Sequence, residues 1–324
     1  MNSAQSTPLV SVIALCFNHA RFVLECLESI RAQTFQDFDL VIMDDCSSDD
    51  SVAIITDWIA RTGTQCTFVA HKVNAGVCQT QNEAIALGKG EFLCVIAADD
   101  RWRPDRIERH LKAFAALPSD VALVYSDTAQ IDEHGNALPE TFLEGQRPGF
   151  KLPSGRVFEE LINRNFVHPV SSTMRRDAVS KVGGYDTRLT IEDYDMWLRL
   201  ANDYQFAYVE GIYSDYRIVS TSLTRTLWVA PSARFVYGQF LLREKWIPSG
   251  LLNARQRRIW SDHQSEFAYW LYFHGDPRAT RCLWTAALRT RRPRFFALAA
   301  LSALGVRRQR AKRVAAALGF VRDN

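Results

Sequence analysis

Along its first 127 residues the chain alternates between unbroken apolar runs and stretches with a three-to-four apolar spacing. The runs are LVSVIALCF (9–17), FDLVIM (38–43), CTFVAH (66–71), FLCVIAA (92–98) and VALVYSD (121–127). Continuous runs rich in β-branched residues mark strands buried on both faces. Between the first two lies ARFVLECLESIRAQ, in which Val23, Leu27 and Ile30 share one helical face and Asn18 is placed to cap the helix. SSDDSVAIITDWIA opens on cap residues and continues with helical period. VCQTQNEAIALGKG reads as a helix stopped by Gly88 and Gly90, and Pro104 suits the first turn of PDRIERHLKAFAAL.

This alternation predicts an α/β fold of Rossmann-like type, with a mainly parallel central sheet, right-handed crossovers and helices on both faces. Ligands of such sheets bind beyond the carboxyl ends of the strands. Those ends carry Phe17-Asn18, Asp44-Asp45, His71 to Asn74, and Asp99-Asp100, so acidic and amide groups converge on one edge. Residues 128–165 are less regular. SSTMRRDAV, VGGYDTRL and TIEDYDMWLRL follow, and after Tyr216 the sequence reads as mostly helical, rich in Arg, Trp and Leu. No internal repeat or low-complexity tract interrupts it.

Three constellations carry chemistry. Asp99 and Asp100 are adjacent carboxylates at a strand end, where ionising both is unfavourable without compensation. A divalent ion of the Mg²⁺ or Mn²⁺ kind would compensate, bridging carboxylate to substrate phosphate; a solvated turn is the alternative. Asp44 and Asp45 either accept a hydrogen bond from a pyrimidine imide or cap the next turn through Ser47 and Ser48, and Phe17 either stacks on a base or belongs to the core. Thr190-x-x-Asp193 fits a capping box with Asp in place of Glu. Asp193 also lies three and four residues before Met196 and Trp197, so on a helix it borders their apolar stripe, while Glu192 and Asp195 point elsewhere. Partial desolvation there raises a carboxyl toward the range of a general base. Neither G-x-x-x-x-G-K-[ST] nor G-x-G-x-x-G follows the first strand, which argues against P-loop ATPases and nicotinamide dehydrogenases.

Composition sharpens this in two places. The seven cysteines form no C-x-x-C pair and are odd in number, as expected of buried thiols in a reducing cytosol rather than of disulfides or zinc. The N-terminus has no basic n-region and no apolar h-region, so no secretory signal is expected, and no run is long enough to span a membrane. The net charge of +3 hides an asymmetry: from Arg225 onward there are 19 Lys/Arg and 5 Asp/Glu, net +14, against −11 for the first 224 residues. The two parts therefore meet different partners.

As a set, these residues resemble the family-2 glycosyltransferases of GT-A fold. VSVIALCFNHARFVLECLESIRAQTFQDFDLVIMDDCSSDDS is similar to that family's nucleotide-binding opening. NAGVCQTQNEAIALGKGEFLCVIAADDRWRPDRI is similar to its middle with the D-x-D-type metal motif, and VGGYD with IEDYDMWLRL to its acceptor loop and catalytic helix. The resemblance covers residues 8–225 and implies a catalytic domain over 1–224, divided into a donor half (1–127) and an acceptor half (128–224), followed by a basic helical region over 225–324. It implies inverting transfer of a sugar from a nucleotide diphosphate sugar to a hydroxyl, with Asp193 as general base and Asp99 and Asp100 on a Mn²⁺ or Mg²⁺ ion. Phe17, Asn18, Asp44 and Asp45 would hold base and ribose, with Leu15, Asn74, Gly76, Asn82 and Ala98 lining the nucleotide side. Gly184, Tyr185, Glu192 and Trp197 would face sugar and acceptor. The chain departs from the pattern where Leu15 replaces Pro, Ala97 an Asp, Gln81 an Arg and Val219 a His.

A nucleotidyltransferase would need a Gly-rich basic loop after the first strand, which CFNHARF lacks. A catalytically silent carbohydrate- or nucleotide-binding scaffold would not need both Asp99-Asp100 and Asp193. Residues 289–320 alternate Arg clusters with short apolar runs, a pattern suited to an anionic membrane surface carrying a lipid-linked or glycan acceptor of surface-polysaccharide assembly. Packing on the catalytic domain or a homodimer contact is the alternative, and no nucleic acid partner is expected. The expected place is the cytoplasm, either free in the cytosol or peripheral on the inner face of the cytoplasmic membrane.

Overall fold

The computed structural model describes residues 7–143, 152–190, 192–219 and 231–306. They fall into two compact units, drawn from Met1–Thr187 with Glu192–Ser220 and from Arg188–Ile191 with Thr221–Asn324.

The first unit opens with β1 (Val10–Cys16), α1 (Val23–Arg31), β2 (Phe38–Asp44), α2 (Ser51–Thr62), β3 (Thr67–Ala70), α3 (Val77–Leu87) and β4 (Phe92–Ala97). These four strands pair in parallel in the order β3-β2-β1-β4. Val10, Val12, Ala14 and Cys16 pack with Leu40, Ile42, Cys94 and Ile96 against Leu27 and Ile30 of α1 and Ile55 and Trp58 of α2. The alternate residues Ile13, Val41, Met43 and Leu93 are buried as well, and α3 contacts β1 and β2. Burial on both faces is why these strands read as unbroken apolar runs. Register then fixes the site: Leu15 pairs with Ala97 and Cys16 with Asp44, so the polar residues after each strand emerge at one edge.

The rest of the unit is β5 (Arg101–Trp102), α4 (Arg106–Ala115), β6 (Val121–Ile131), β7 (Ala137–Thr141), α5 (Phe158–Asn163), β8 (Ser172–Arg175), α6 (Arg176–Lys181), α7 (Glu192–Asp203) and β9 (Gln205–Arg217). Here the sheet becomes mixed. β8 lies antiparallel between β4 and β6, β9 runs parallel to β6, and β5 pairs antiparallel with β9. β8 is four residues of Ser, Thr, Met and Arg, a sequence without strand periodicity.

One local expectation needs correction: Asn18 does not cap α1, which begins at Val23 after Phe22 and has no side-chain cap. Gly88 ends α3 as expected, in extended conformation. Close approach explains both glycines: a Cβ on Gly90 would lie 2.2 Å from the Val10 carbonyl carbon, and one on Gly88 2.6 Å from Ser11 Oγ.

The second unit is helical over its described residues: α8 (Ala233–Trp246), α9 (Ala254–Phe273), α10 (Ala279–Thr290) and α11 (Pro293–Ala303). Phe235, Phe240, Leu271, Leu283, Phe295 and Leu298 form its core. Ser232 caps α8, and Asn253 with Gln256 forms a capping box on α9. No described helix is long and apolar enough to cross a membrane. The basic stretch expected over 289–320 is described as far as Val306; its remainder lies outside the described residues.

Candidate active site

The strand-end edge is a lattice of short polar bonds. After β1 the chain turns through Asn18, which holds a left-handed φ of 57°. The Asn18 amide nitrogen donates to Ser47 Oγ (2.8 Å), and its Oδ1 accepts from Ser48 N (2.8 Å). Asp44 is fully buried and accepts from Ser47 N (2.8 Å) and Ser47 Oγ (2.5 Å). Of the two readings of Asp44, turn capping through Ser47 is therefore present. Phe17 is 46% exposed, so its ring is not core.

Asp45 also serves a loop. Its carboxylate accepts from Ala75 N (2.7 Å) and Gly76 N (2.9 Å), and its carbonyl accepts from Asn74 Nδ2 (3.0 Å). His71 bridges Asp45 Oδ1 (3.0 Å) and Glu83 Oε2 (2.9 Å); the Asp45 bond, then that to Glu83, holds its imidazole above the usual range. Asn82 is turned to the other half of the unit: its Nδ2 donates to Tyr185 O and its Oδ1 accepts from Tyr185 N, both at 2.8 Å. Gln81 is buried, and its Oε1 has no hydrogen-bond partner among the described residues.

The two aspartates after β4 part company. Asp100 is buried, and its Oδ1 accepts from Arg217 N (2.8 Å). Burial, then the charge of Asp99, pushes the Asp100 carboxyl well above its ordinary range. The guanidinium of the fully buried Arg217 donates to Asp99 O (2.7 Å), Asp132 O (3.2 Å) and Glu25, and lies over the Phe22 ring. Thus the positive charge that an Asp-Asp strand end requires comes, for Asp100, from β9 of the protein itself. Asp99 remains as the carboxylate presented at the edge, with His19 Nε2 at 3.7 Å. Val219 is buried, and Ala98 and Leu15 continue the edge through the Ala98 N to Leu15 O bond (2.8 Å). Among the described residues, no group of three or more His, Cys, Asp and Glu side chains could hold a metal ion.

On the other side, α7 is anchored by Met196, Trp197, Leu198, Leu200 and Ala201, all fully buried. Trp197 is therefore core, with its Nε1 unpartnered among the described residues. Asp193, half-buried in the first turn, accepts from the Asn165 side chain and the Tyr194 amide. Burial outweighs those bonds and pushes its carboxyl up to about 6. Among the described residues the buried Thr190 Oγ1 has no hydrogen-bond partner, so its bond of the capping box is not made. Asp195 is fully buried and pairs with Arg199 Nε (2.7 Å), whose Nη1 donates to Val182 O (2.7 Å). This holds the Gly183-Gly184-Tyr185 loop from one side while Asn82 clamps it from the other. A Cβ on Gly184 (φ 69°) would meet Asn82 Oδ1 at 2.7 Å. The Glu192 side chain lies outside the described residues.

The segment carrying Asn165 is tied down just beyond it. Trp102 Nε1 and Arg106 Nε both donate to Val170 O (2.9 and 3.3 Å), and Arg106 also bonds Ser172 O. The sequence placed His71 at a strand end without giving it a role, and did not single out Asn165, Arg217 or His19. Of these three only His19 carried a local signal, standing directly after Asn18 at a strand end.

Comparison with known proteins completes the picture. Residues 11–183 match the profile of glycosyl transferase family 2. The uncharacterized glycosyltransferase MJ1057 of Methanocaldococcus jannaschii is 31% identical over 214 residues, 65% of this chain and 71% of that protein. The putative teichuronic acid biosynthesis glycosyltransferase TuaG of Bacillus subtilis is 22% identical over 232 residues, 71% of this chain and 87% of that protein. Other relatives are longer, and the chain spans 31% of the length of two from Rickettsia. S. aureus TarS 1-349 in complex with UDP-GlcNAc superposes with a TM-score of 0.61 at 17% identity, covering 89% of this chain and 83% of that one. The mannosyltransferase PcManGT from Pyrobaculum calidifontis, in complex with GDP-Man and Mn2+, gives 0.57 at 17% identity, covering 93% and 81%. At these identities the structures speak for the fold, which is of GT-A type. With more than half of its length inside the family profile, the chain belongs to glycosyl transferase family 2.

Proposed function

We propose that the protein is an inverting glycosyltransferase moving a sugar from a nucleotide diphosphate sugar to a hydroxyl of a glycan or lipid-linked acceptor. The observation that carries this is Asp193: a half-buried carboxylate at the first turn of a helix whose apolar face is fully buried, held by Asn165, with its pKa raised to about 6. Such a group is ionised at neutral pH yet basic enough to take a proton. In the proposed step Asp193 removes the acceptor hydroxyl proton as that oxygen attacks the anomeric carbon. The bond from that carbon to the diphosphate oxygen breaks on the opposite face, and the nucleoside diphosphate leaves.

Phe17 offers its exposed ring to a base. Asp44 and Asp45 shape the loops of Ser47-Ser48 and Asn74 to Gly76 that border the nucleotide side. A divalent ion fits the edge at Asp99, whose oxygen donor suits Mn²⁺ or Mg²⁺, and Asp100 supports that edge from beneath through Arg217. When bound, the ion would offset the charge gathering on the departing diphosphate. Gly184 and Tyr185 form the acceptor-side loop, with Glu192 preceding the base in sequence.

The likeness to TuaG, named a putative teichuronic acid biosynthesis glycosyltransferase, supports an acceptor in polysaccharide assembly. Contact with an anionic membrane is supported by the helical unit, where exposed Trp284, Leu288 (67%), Phe296 and Leu304 (79%) accompany exposed Arg291 and Arg294. The test is incubation with a panel of UDP-, GDP- and dTDP-sugars in Mn²⁺, scored by release of nucleoside diphosphate. At least one donor is expected to be turned over. Asp193→Asn should abolish that turnover while nucleotide affinity stays within about twofold. Release from none of the panel, with no nucleotide bound, would remove the reading.

A further inference from the structure

We infer that His19 is a metal ligand: its Nε2 and the carboxylate of Asp99 form the protein's half of a mixed nitrogen–oxygen divalent site. The inference deepens the reading above and rests on it.

The two side chains are brought together by the sheet. β1 and β4 are parallel neighbours in register from Val10↔Phe92 to Leu15↔Ala97, so the residues just past both strands emerge side by side. The His19 backbone is fixed at each end. Its N donates to Ser51 Oγ (3.0 Å), and its carbonyl accepts from Phe22 N (2.8 Å) and Val23 N (2.9 Å). The next amide, Ala20 N, donates to Asp49 Oδ2 (2.9 Å). The ring is therefore aimed by the fold.

Yet among the described residues none makes a hydrogen bond to the ring. Nδ1 is buried with no partner there, and Nε2 faces Asp99 Oδ2 at 3.7 Å, too far for a hydrogen bond. Two ligands each about 2.2 Å from a shared ion lie roughly 3 to 4 Å apart, which this separation matches. The side chains are 24% and 13% exposed, open to an ion without being free in solvent. His71, His110 and His168 each have a ring nitrogen bonded to another protein group. Asp100, bonded to Arg217 N, adds no obvious third ligand. With two protein ligands, the remaining positions fall to diphosphate oxygens and water. An imidazole nitrogen binds transition ions far better than Mg²⁺, so this site should prefer Mn²⁺.

The test is pulsed electron paramagnetic resonance on the full chain with Mn²⁺ and UDP, and in parallel with GDP. A ¹⁴N coupling to Mn²⁺ is expected. It should change to the ¹⁵N pattern on ¹⁵N-histidine labelling and disappear in both His19→Asn and His19→Gln. In calorimetric titrations, nucleotide affinity in Mn²⁺ should exceed that in Mg²⁺ by roughly tenfold or more, a gap that closes to within about threefold in His19→Asn. A wild-type Mn²⁺–nucleotide complex without histidine nitrogen coupling overturns the inference and leaves the transferase reading standing. Coupling that persists in both variants assigns the ligand to another histidine and overturns it too. If neither nucleotide binds with Mn²⁺, no complex forms to be measured, and the inference falls together with the donor reading.

Discussion

The end of β4 and the first turn of α7 each hold a carboxylate with raised proton affinity, and they use it differently. Asp100 is buried and accepts from the Arg217 backbone N–H, and the nearby guanidinium, which holds Glu25 and two backbone carbonyls, favours its ionised form against that burial. Among the described residues, Asp193 is hydrogen-bonded by neutral groups, the Asn165 amide and backbone N–H. A carboxylate answered by a buried cation becomes part of the scaffold, and removing the cation strands charges in the interior. A carboxylate desolvated among neutral groups stays available to exchange a proton. The nature of the partner, rather than the burial alone, separates framework from chemistry.

The largest effect that tests this contrast is on Asp193. Asp193→Asn should lower kcat by about a thousandfold or more. The same change should raise stability. A carboxyl whose folded pKa is raised contributes stability below its unfolded value near 3.8, and that contribution is lost as pH rises through about 6. At pH 7.5 the ionised group is therefore a burden, and the amide should stabilise the protein by about 1–3 kcal/mol in urea titrations. An inactive variant of unchanged or reduced stability would break the comparison. Next in size, Arg217→Met should destabilise by about 3 kcal/mol in the same measurement, because it leaves the Asp99 and Asp132 carbonyls without their buried guanidinium donor and removes the cation beside Asp100. A loss below about 1 kcal/mol would show that the β4 end does not depend on its internal cation.

The smallest effect belongs to His71. Its folded pKa is raised by Asp45 and Glu83, so its contribution is complete below the unfolded value of about 6.5 and disappears as pH climbs through the folded value. Stability should fall by about 1 kcal/mol between pH 6 and pH 9 through this residue, and His71→Gln should remove that part of the slope. An unchanged slope in His71→Gln would separate the loop of Asn74 to Gly76 from this ion pair.

The sequence disclosed the strand-end edge because both faces of β1, β2 and β4 are buried, which leaves an unmistakable apolar run before each polar terminus. It disclosed Asp193 because helical spacing puts that residue beside Met196 and Trp197. It did not disclose how the polar groups divide their labour. The order of residues offered the Ser47 turn cap of Asp44 only as one of two readings, and nothing in it joins Asn82 to the Tyr185 backbone or brings Arg217, more than a hundred positions away, beside Asp100. The last two are contacts between segments distant in sequence, fixed only once the sheet is assembled. β8 escaped for a related reason: a four-residue strand between two longer ones takes its identity from its neighbours rather than from a pattern of its own.

The claim on which the account turns is that Asp193 accepts the acceptor's proton. The most direct measurement is the pH dependence of kcat/KM with a turned-over donor, for the wild type and for Asn165→Leu. The account predicts a rate that falls below pH 6 with one proton, and an acid limb that moves to higher pH in Asn165→Leu, since that amide favours the ionised form. A rate that stays level from pH 5 to 8, or an acid limb that Asn165→Leu leaves in place, would contradict it.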